Sequence, residues 1–147
     1  MKVLFLCTGN SCRSQMAEGW ARVLKGDIVE AWSAGVEKRT LDFRAVKVMA
    51  EAGVDISGQV SKTVDELAGM AFDVVVTVCG HAREACPVFP GRATIVHRGF
   101  DDPPKLAESA HSEEEALQHY RRVRDEIRLF IEGLPESVEM GAGELVP

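Results

Sequence analysis

The stretch Cys7-Thr8-Gly9-Asn10-Ser11-Cys12-Arg13-Ser14 places a thiol, a run of small polar residues and a guanidinium within eight positions. Small residues let successive backbone N–H groups turn inward. Such a nest, backed by a helix N-terminus, holds a tetrahedral oxyanion. Thr8, Gly9, Asn10, Ser11, Cys12 and Arg13 are its candidate oxyanion-binding residues, and Arg13 can fork two hydrogen bonds onto the anion. The same positive field favours a Cys7 thiolate, to which Ser14 can donate a hydroxyl hydrogen bond. A nucleophile beneath a bound anion is what attack on phosphorus or arsenic requires. A bare Cys-x5-Arg also arises when a thiol merely ends a core strand. Four coincidences set this one apart: a strand before it, a helix after it, Gly9-Asn10 within it and Arg13-Ser14 at its close. No Gly-Lys-Ser/Thr occurs in the loop, which excludes a Walker nucleotide site.

The elements that position this loop follow from apolar spacing. Val3-Leu4-Phe5-Leu6 reads as a buried parallel strand. Met16, Ala17, Trp20, Val23 and Leu24 give the next segment one apolar helical face. Residues 28 to 34 form a second strand ended by Gly35, where Ser33-Ala34-Gly35 is a strand-end turn or part of the site. Thr40 or Asp42 caps a helix through Ala52, with Phe43, Val46 and Ala50 inward and Gly53 just past its end. Thr63-x-x-Glu66 has the form of a capping box for a short helix. Residues 72 to 78 form a third strand, nearly all apolar, and residues 93 to 96 a short fourth one. Ser112-x-x-Glu115 opens a long amphipathic helix through Ala116, Tyr120, Val123, Ile127 and Phe130, ending at Gly133. Alternating strands and helices predict an α/β fold with a parallel sheet and right-handed crossovers. Ligands of such a sheet sit beyond the carboxyl ends of its strands, where both Cys7 and Cys79 fall.

Further candidates share that edge. Asp101-Asp102-Pro103 follows the fourth strand and offers a carboxylic acid for proton transfer, or ordinary Asp-Pro turn chemistry. Cys79 follows the third strand as Cys7 follows the first, and Cys86-Pro87 lies seven residues on. These two thiols are partners in redox chemistry or two unrelated side chains. His81 and Arg83 lie between them, either biasing a thiol toward thiolate or simply solvated. His97, His111 and His119 form no evident metal set with His81.

At 147 residues, 46% of them hydrophobic, the chain is long enough for one domain with its own core. A net charge of -6 argues against nucleic acid as partner, although the anion loop is locally positive. No segment is long and apolar enough to span a membrane or to serve as a signal-peptide core, so the expected compartment is the cytoplasm. Four cysteines there point to catalysis, redox or metal binding rather than structural disulfides. Their spacings fit no familiar zinc pattern.

The loop resembles that of the low-molecular-weight protein tyrosine phosphatases. The longer string from Cys7 through Gln15-Met16-Ala17-Glu18-Gly19-Trp20 is more similar to the thioredoxin-coupled arsenate reductases built on that fold, and the likeness runs to about residue 132. It implies a three-layer α/β domain over residues 1–133, with a four-stranded parallel sheet of order 2-1-3-4, and a loosely held tail over 134–147. It also implies reduction of arsenate to arsenite, with phosphate or sulfate as competing oxyanions. Cys7, Cys79 and Cys86 stand where those reductases carry a disulfide relay emptied by thioredoxin or a similar thiol reductant. The resemblance makes Asp102, rather than Asp101, the acid and leaves Cys12 a structural member of the loop. No metal or organic cofactor is implied. Phosphatases of this family need one cysteine and usually carry tyrosine after the Asp-Pro, where this chain has Pro104. Some of the reductases bind potassium beside the loop through an acidic residue where this chain has Lys62; Asn10, Glu18 and Ser33 match the other ligands. Lys62 would repel the ion. The alternative readings are a phosphatase acting on phosphate monoesters and a non-catalytic oxyanion-binding module.

Overall fold

The computed structural model describes residues 1–138 apart from 68, 88 and 92. Four strands build one sheet: β1 (Lys2–Cys7), β2 (Glu30–Gly35), β3 (Val74–Thr77) and β4 (Thr94–His97). Their order is β2-β1-β3-β4 and every pairing is parallel. β1 is central and its residues 3 to 7 are buried, as their unbroken apolar run requires. The register pairs Cys7 with Gly35 and Leu6 with Thr77, so the loops after β1, β2 and β3 open at one edge.

Among the described residues five α-helices flank the sheet: α1 (Arg13–Lys25), α2 (Phe43–Glu51), α3 (Gly80–Glu84), α4 (Pro103–Ala107) and α5 (Glu113–Glu132). α5 packs on α1, α2 and α4, while α3 packs on β1 and β3. None of these helices is long and apolar enough to cross a membrane. Asp42 caps α2 by accepting from Arg44 N at 2.9 Å, and Ser112 caps α5 by accepting from Glu115 N at 3.1 Å. Glu66 reaches back to Thr63 N at 2.7 Å, but the turn that follows is a 3₁₀ helix, Val64–Leu67.

Three side chains expected inward point outward. Val23 is 58% exposed, Phe43 is 69% exposed and Ala50 is exposed. In α2 the buried stripe is Ala45, Val48 and Met49, because Asp42 rather than Phe43 meets α5 at that end, through Tyr120. α1 buries every residue from Arg13 to Ala21, polar ones included, since its first turns carry the anion loop rather than a simple amphipathic face. α4 was not legible from periodicity; Asp102 precedes it and Pro103 starts it. Beyond α5, Leu134 and Val138 are buried, so packing continues past Gly133. Residues 139–147 of the expected tail lie outside the described residues.

Candidate active site

Residues 8 to 12 make an open turn between β1 and α1. What shapes the turn is the destination of its carbonyl groups. Cys7 O accepts from Val36 N, Thr8 O from Glu37 N, Gly9 O from Arg39 N and Ser11 O from Asp42 N, at 2.9 to 3.1 Å. Asn10 O accepts from Gln15 Nε2 at 3.0 Å, and Cys12 O from Met16 N at 2.9 Å. Every carbonyl from residue 7 to 12 is therefore bonded outward. The N–H groups of residues 9 to 13 donate to no protein acceptor among the described residues and are left for a ligand. Asn10 makes the tight point of the turn with φ 50°, the left-handed region that asparagine tolerates. Its side chain donates to Ser14 Oγ at 2.9 Å and accepts from Lys62 N at 2.9 Å.

Gly35, at the end of β2, lies directly behind the loop. A Cβ there would stand 2.5 Å from Glu37 O, 2.7 Å from Asn10 N and 2.8 Å from the Gly9 carbonyl carbon. Of the two readings of Ser33-Ala34-Gly35, the structure supports membership of the site's frame.

The turn floors a cavity of about 550 Å³ whose wall includes Cys7, Ser11, Arg13, Asp102 and Pro104. Arg13 is 8% exposed, donates from Nη1 to Phe100 O at 2.9 Å, and holds Nη2 3.7 Å from Asp102 Oδ1. Asp101 turns away and pairs with Arg122 at 3.1 Å. Of the two acids, the cavity therefore receives Asp102. Cys12 is buried at the start of α1, where desolvation pushes its thiol well up. Ser14 Oγ accepts from Asn10 Nδ2 at 2.9 Å, which leaves its own hydroxyl hydrogen available to donate.

Cys79 lies beside Cys7, because β3 is the neighbour of β1. Each thiol shifts the ionisation of the other, raising Cys7 and lowering Cys79. The charge belongs on Cys79. The Cys7 thiol donates to it, Thr8 Oγ1 lies 3.2 Å away, and Ala82 N at the start of α3 donates at 3.4 Å. Together with Arg13 these hold the Cys79 thiol down to about 5 against its burial. The same bond to Cys79, then burial, raise the Cys7 thiol, only partly offset by Arg13. The contacts around the pair thus favour the thiolate on Cys79, where the sequence led to the expectation of one on Cys7. The sequence could not display this, because the deciding contacts join residues 71 positions apart. Cys86 is half-buried just past α3, and burial raises its thiol too.

The potassium ligands of the resemblance do not fit a cation here. Lys62 Nζ stands 3.8 Å from Glu18 Oε1 and donates to Val60 O at 3.0 Å. Glu18 also accepts from Ser33 Oγ at 2.5 Å and pairs with Arg22. Asn10 Oδ1 accepts from Lys62 N and Gln15 Nε2. These oxygens are engaged by protein donors, and the Lys62 ammonium stands beside Glu18. Among the described residues no group of three or more His, Cys, Asp or Glu side chains could hold a metal.

The chain's relatives share this arrangement of fold and length. It is 50% identical over 135 residues to the arsenate reductase of Halalkalibacterium halodurans, covering 92% of this chain and 95% of that one. It is also 50% identical over 125 residues to the arsenate reductase of Bacillus subtilis, covering 85% and 88%. Among solved structures, an arsenate reductase in its phosphate-binding state superposes with a TM-score of 0.70 at 30% identity, over 95% of this chain and 98% of that one. The sequence profile of the low molecular weight phosphotyrosine protein phosphatases matches residues 2–141. By sheet order, anion loop and sequence alike, the chain belongs to the low molecular weight phosphotyrosine protein phosphatase family.

Proposed function

We propose that this chain is an arsenate reductase that works by a three-cysteine relay. The observation that carries the reading is a second cysteine, Cys79, at the end of the strand next to that of Cys7 and in contact with the anion loop through Thr8 Oγ1 at 3.2 Å: a phosphatase needs one cysteine there, whereas reduction needs a second sulfur near the first. Arsenate sits on the inward N–H groups of residues 9 to 13 with Arg13 across it. The Cys7 sulfur bonds to arsenic as an arsenate hydroxyl leaves; the thiol proton, relayed by Asp102, turns that hydroxyl into water. Cys79, already ionised at neutral pH, attacks the Cys7 sulfur. A Cys7–Cys79 disulfide forms, the As–S electron pair stays on arsenic, and arsenite departs with protons from water. Cys86 then attacks Cys79 and carries the disulfide outward to thioredoxin or a similar thiol reductant.

The last step needs motion. α3 separates Cys79, at its N-cap, from Cys86, beyond its end, whereas a disulfide needs Cα atoms roughly 4.4 to 6.8 Å apart. In this reading α3 unwinds or folds back to bring Cys86 to Cys79, with Gly80 as a hinge.

The test is arsenate-dependent consumption of a reduced thioredoxin system. Wild type should turn over continuously, and Cys86→Ser should stop after one arsenite with Cys7 and Cys79 linked. Aryl phosphate turnover by the Cys79→Ser, Cys86→Ser double variant, with no arsenite formed by wild type, would instead establish a phosphatase.

A further inference from the structure

The relay leaves one step without chemistry: the Cys86 thiol, raised by its burial, must lose a proton as it attacks Cys79. The sheet places one base on its route. Side chains two apart along a strand share a face and lie about 6.6 Å apart. Cys86 lines a cavity with Pro87, Phe89, Gly91, Ala93 and Ile95, which puts it on the face of β4 that residues 93, 95 and 97 share. His97 is the next side chain along that face. It is bonded across the sheet to Thr77, its register partner on β3, at 2.9 Å between Nδ1 and Oγ1. Cys79 follows Thr77 by two residues with the backbone still extended, φ -143° and ψ 158°, and so continues the same face. His97 thus stands between the cavity that holds Cys86 and the sulfur that Cys86 must reach.

We propose that His97 is the general base of the second disulfide step. Its Nδ1 lies 2.9 Å from the Thr77 hydroxyl oxygen; with Nδ1–H donating there, Nε2 keeps the lone pair. When α3 unwinds, the Cys86 S–H passes Nε2, which takes the proton. The Cys86 sulfur bonds to Cys79, the Cys79–Cys7 bond breaks, and Cys7 leaves with the electron pair. The imidazolium then returns its proton to the Cys7 sulfur or to water, and no external oxidant is consumed.

The charged groups facing the ring are Arg83 from α3 and Cys79 from the end of β3, while Arg98 beside it turns to the Phe100 ring at 4.4 Å. Burial and Arg83 lower the imidazole below its ordinary range, outweighing Cys79, so it is neutral and able to accept at pH 7. The inference rests on the relay and deepens its last step.

The experiment is a single turnover of the full chain with excess arsenate and no reductant. Samples are quenched by alkylation and mapped for the Cys7–Cys79 and Cys79–Cys86 links between pH 6 and 9. In wild type the second link should form at a rate nearly independent of pH above 7. In His97→Asn the first link should still form, while the second should slow at least tenfold at pH 7 and gain close to tenfold per pH unit. Added imidazole should restore the rate in His97→Ala. A wild-type rate and pH profile in His97→Asn would overturn the proposal. So would slow linking that neither gains with pH nor responds to imidazole, which marks a purely structural role. Absence of any Cys7–Cys79 link in wild type would remove the relay itself, an outcome distinct from both.

Discussion

At the scale of single residues, the site divides into what residue type announces and what contact decides. Cys7, Arg13 and Asp102 could be picked from the chain because each stands at a strand or helix end in a recognisable pairing. Which sulfur carries the charge could not, since Thr8, Ala82 and Cys7 converge on Cys79 only after β1 and β3 pair. This gives a pH prediction. A thiol lowered to about 5 is ionised above that pH and protonated below it. Thiolate absorbance near 240 nm should therefore fall as pH drops through about 5, and Cys79→Ser should lack that transition. Cys7→Ala removes the largest contribution to the lowering, so its transition should move to higher pH. An unmoved transition in Cys7→Ala would show that Cys7 does not shift the ionisation of Cys79.

At the scale of elements, backbone rather than side chains makes the anion loop. The segment from Val36 to Asp42 and the start of α1 take up the loop's carbonyls, and Gly35 lets the strand and loop come close enough for it. Gly35→Ala should push the loop off β2. The expected cost is about 1 to 3 kcal/mol of stability, read by urea unfolding, together with at least tenfold weaker inhibition by phosphate or sulfate. Wild-type inhibition constants in a folded Gly35→Ala protein would show that the loop does not depend on this approach. The strand and helix types here were legible from apolar spacing. The outward bonding of the carbonyls was not, because backbone groups leave no trace in residue identity. Lys62 belongs to this scale as well, tying residues 60 to 62 to α1 through Glu18. Turnover should be the same in potassium and sodium salts at equal ionic strength; saturable activation by potassium would contradict the ammonium's role.

At the scale of the molecule, α5 is the clamp. Trp20 Nε1 donates to Arg124 O at 3.2 Å, Arg124 Nη1 donates to Val48 O at 2.9 Å, and the Tyr120 hydroxyl donates to Asp42 Oδ2 at 2.6 Å. The helix face that buries Tyr120 was readable in its spacing, but the carboxylate it meets, 78 residues away, was not. Tyr120→Phe should lower stability by about 1.5 kcal/mol, since it removes a hydrogen bond to a charged group; a change of less than a few tenths in urea unfolding would show the bond adds nothing net. The sheet order was implied by likeness rather than by any residue pattern, and it is this order that makes neighbours of the strands ending at Cys7 and Cys79. A loop whose amides are fixed in advance gauges only the size and charge of a tetrahedral anion, and arsenate and phosphate differ little in either. Binding then gives the protein scant preference between them. In the proposed relay, discrimination falls to the step at which a second sulfur draws the first away, because arsenic accepts the electron pair and phosphorus does not. In a phosphate-rich cell most site encounters are thus with phosphate, and flux follows the ratio of the two anions rather than the arsenate concentration alone.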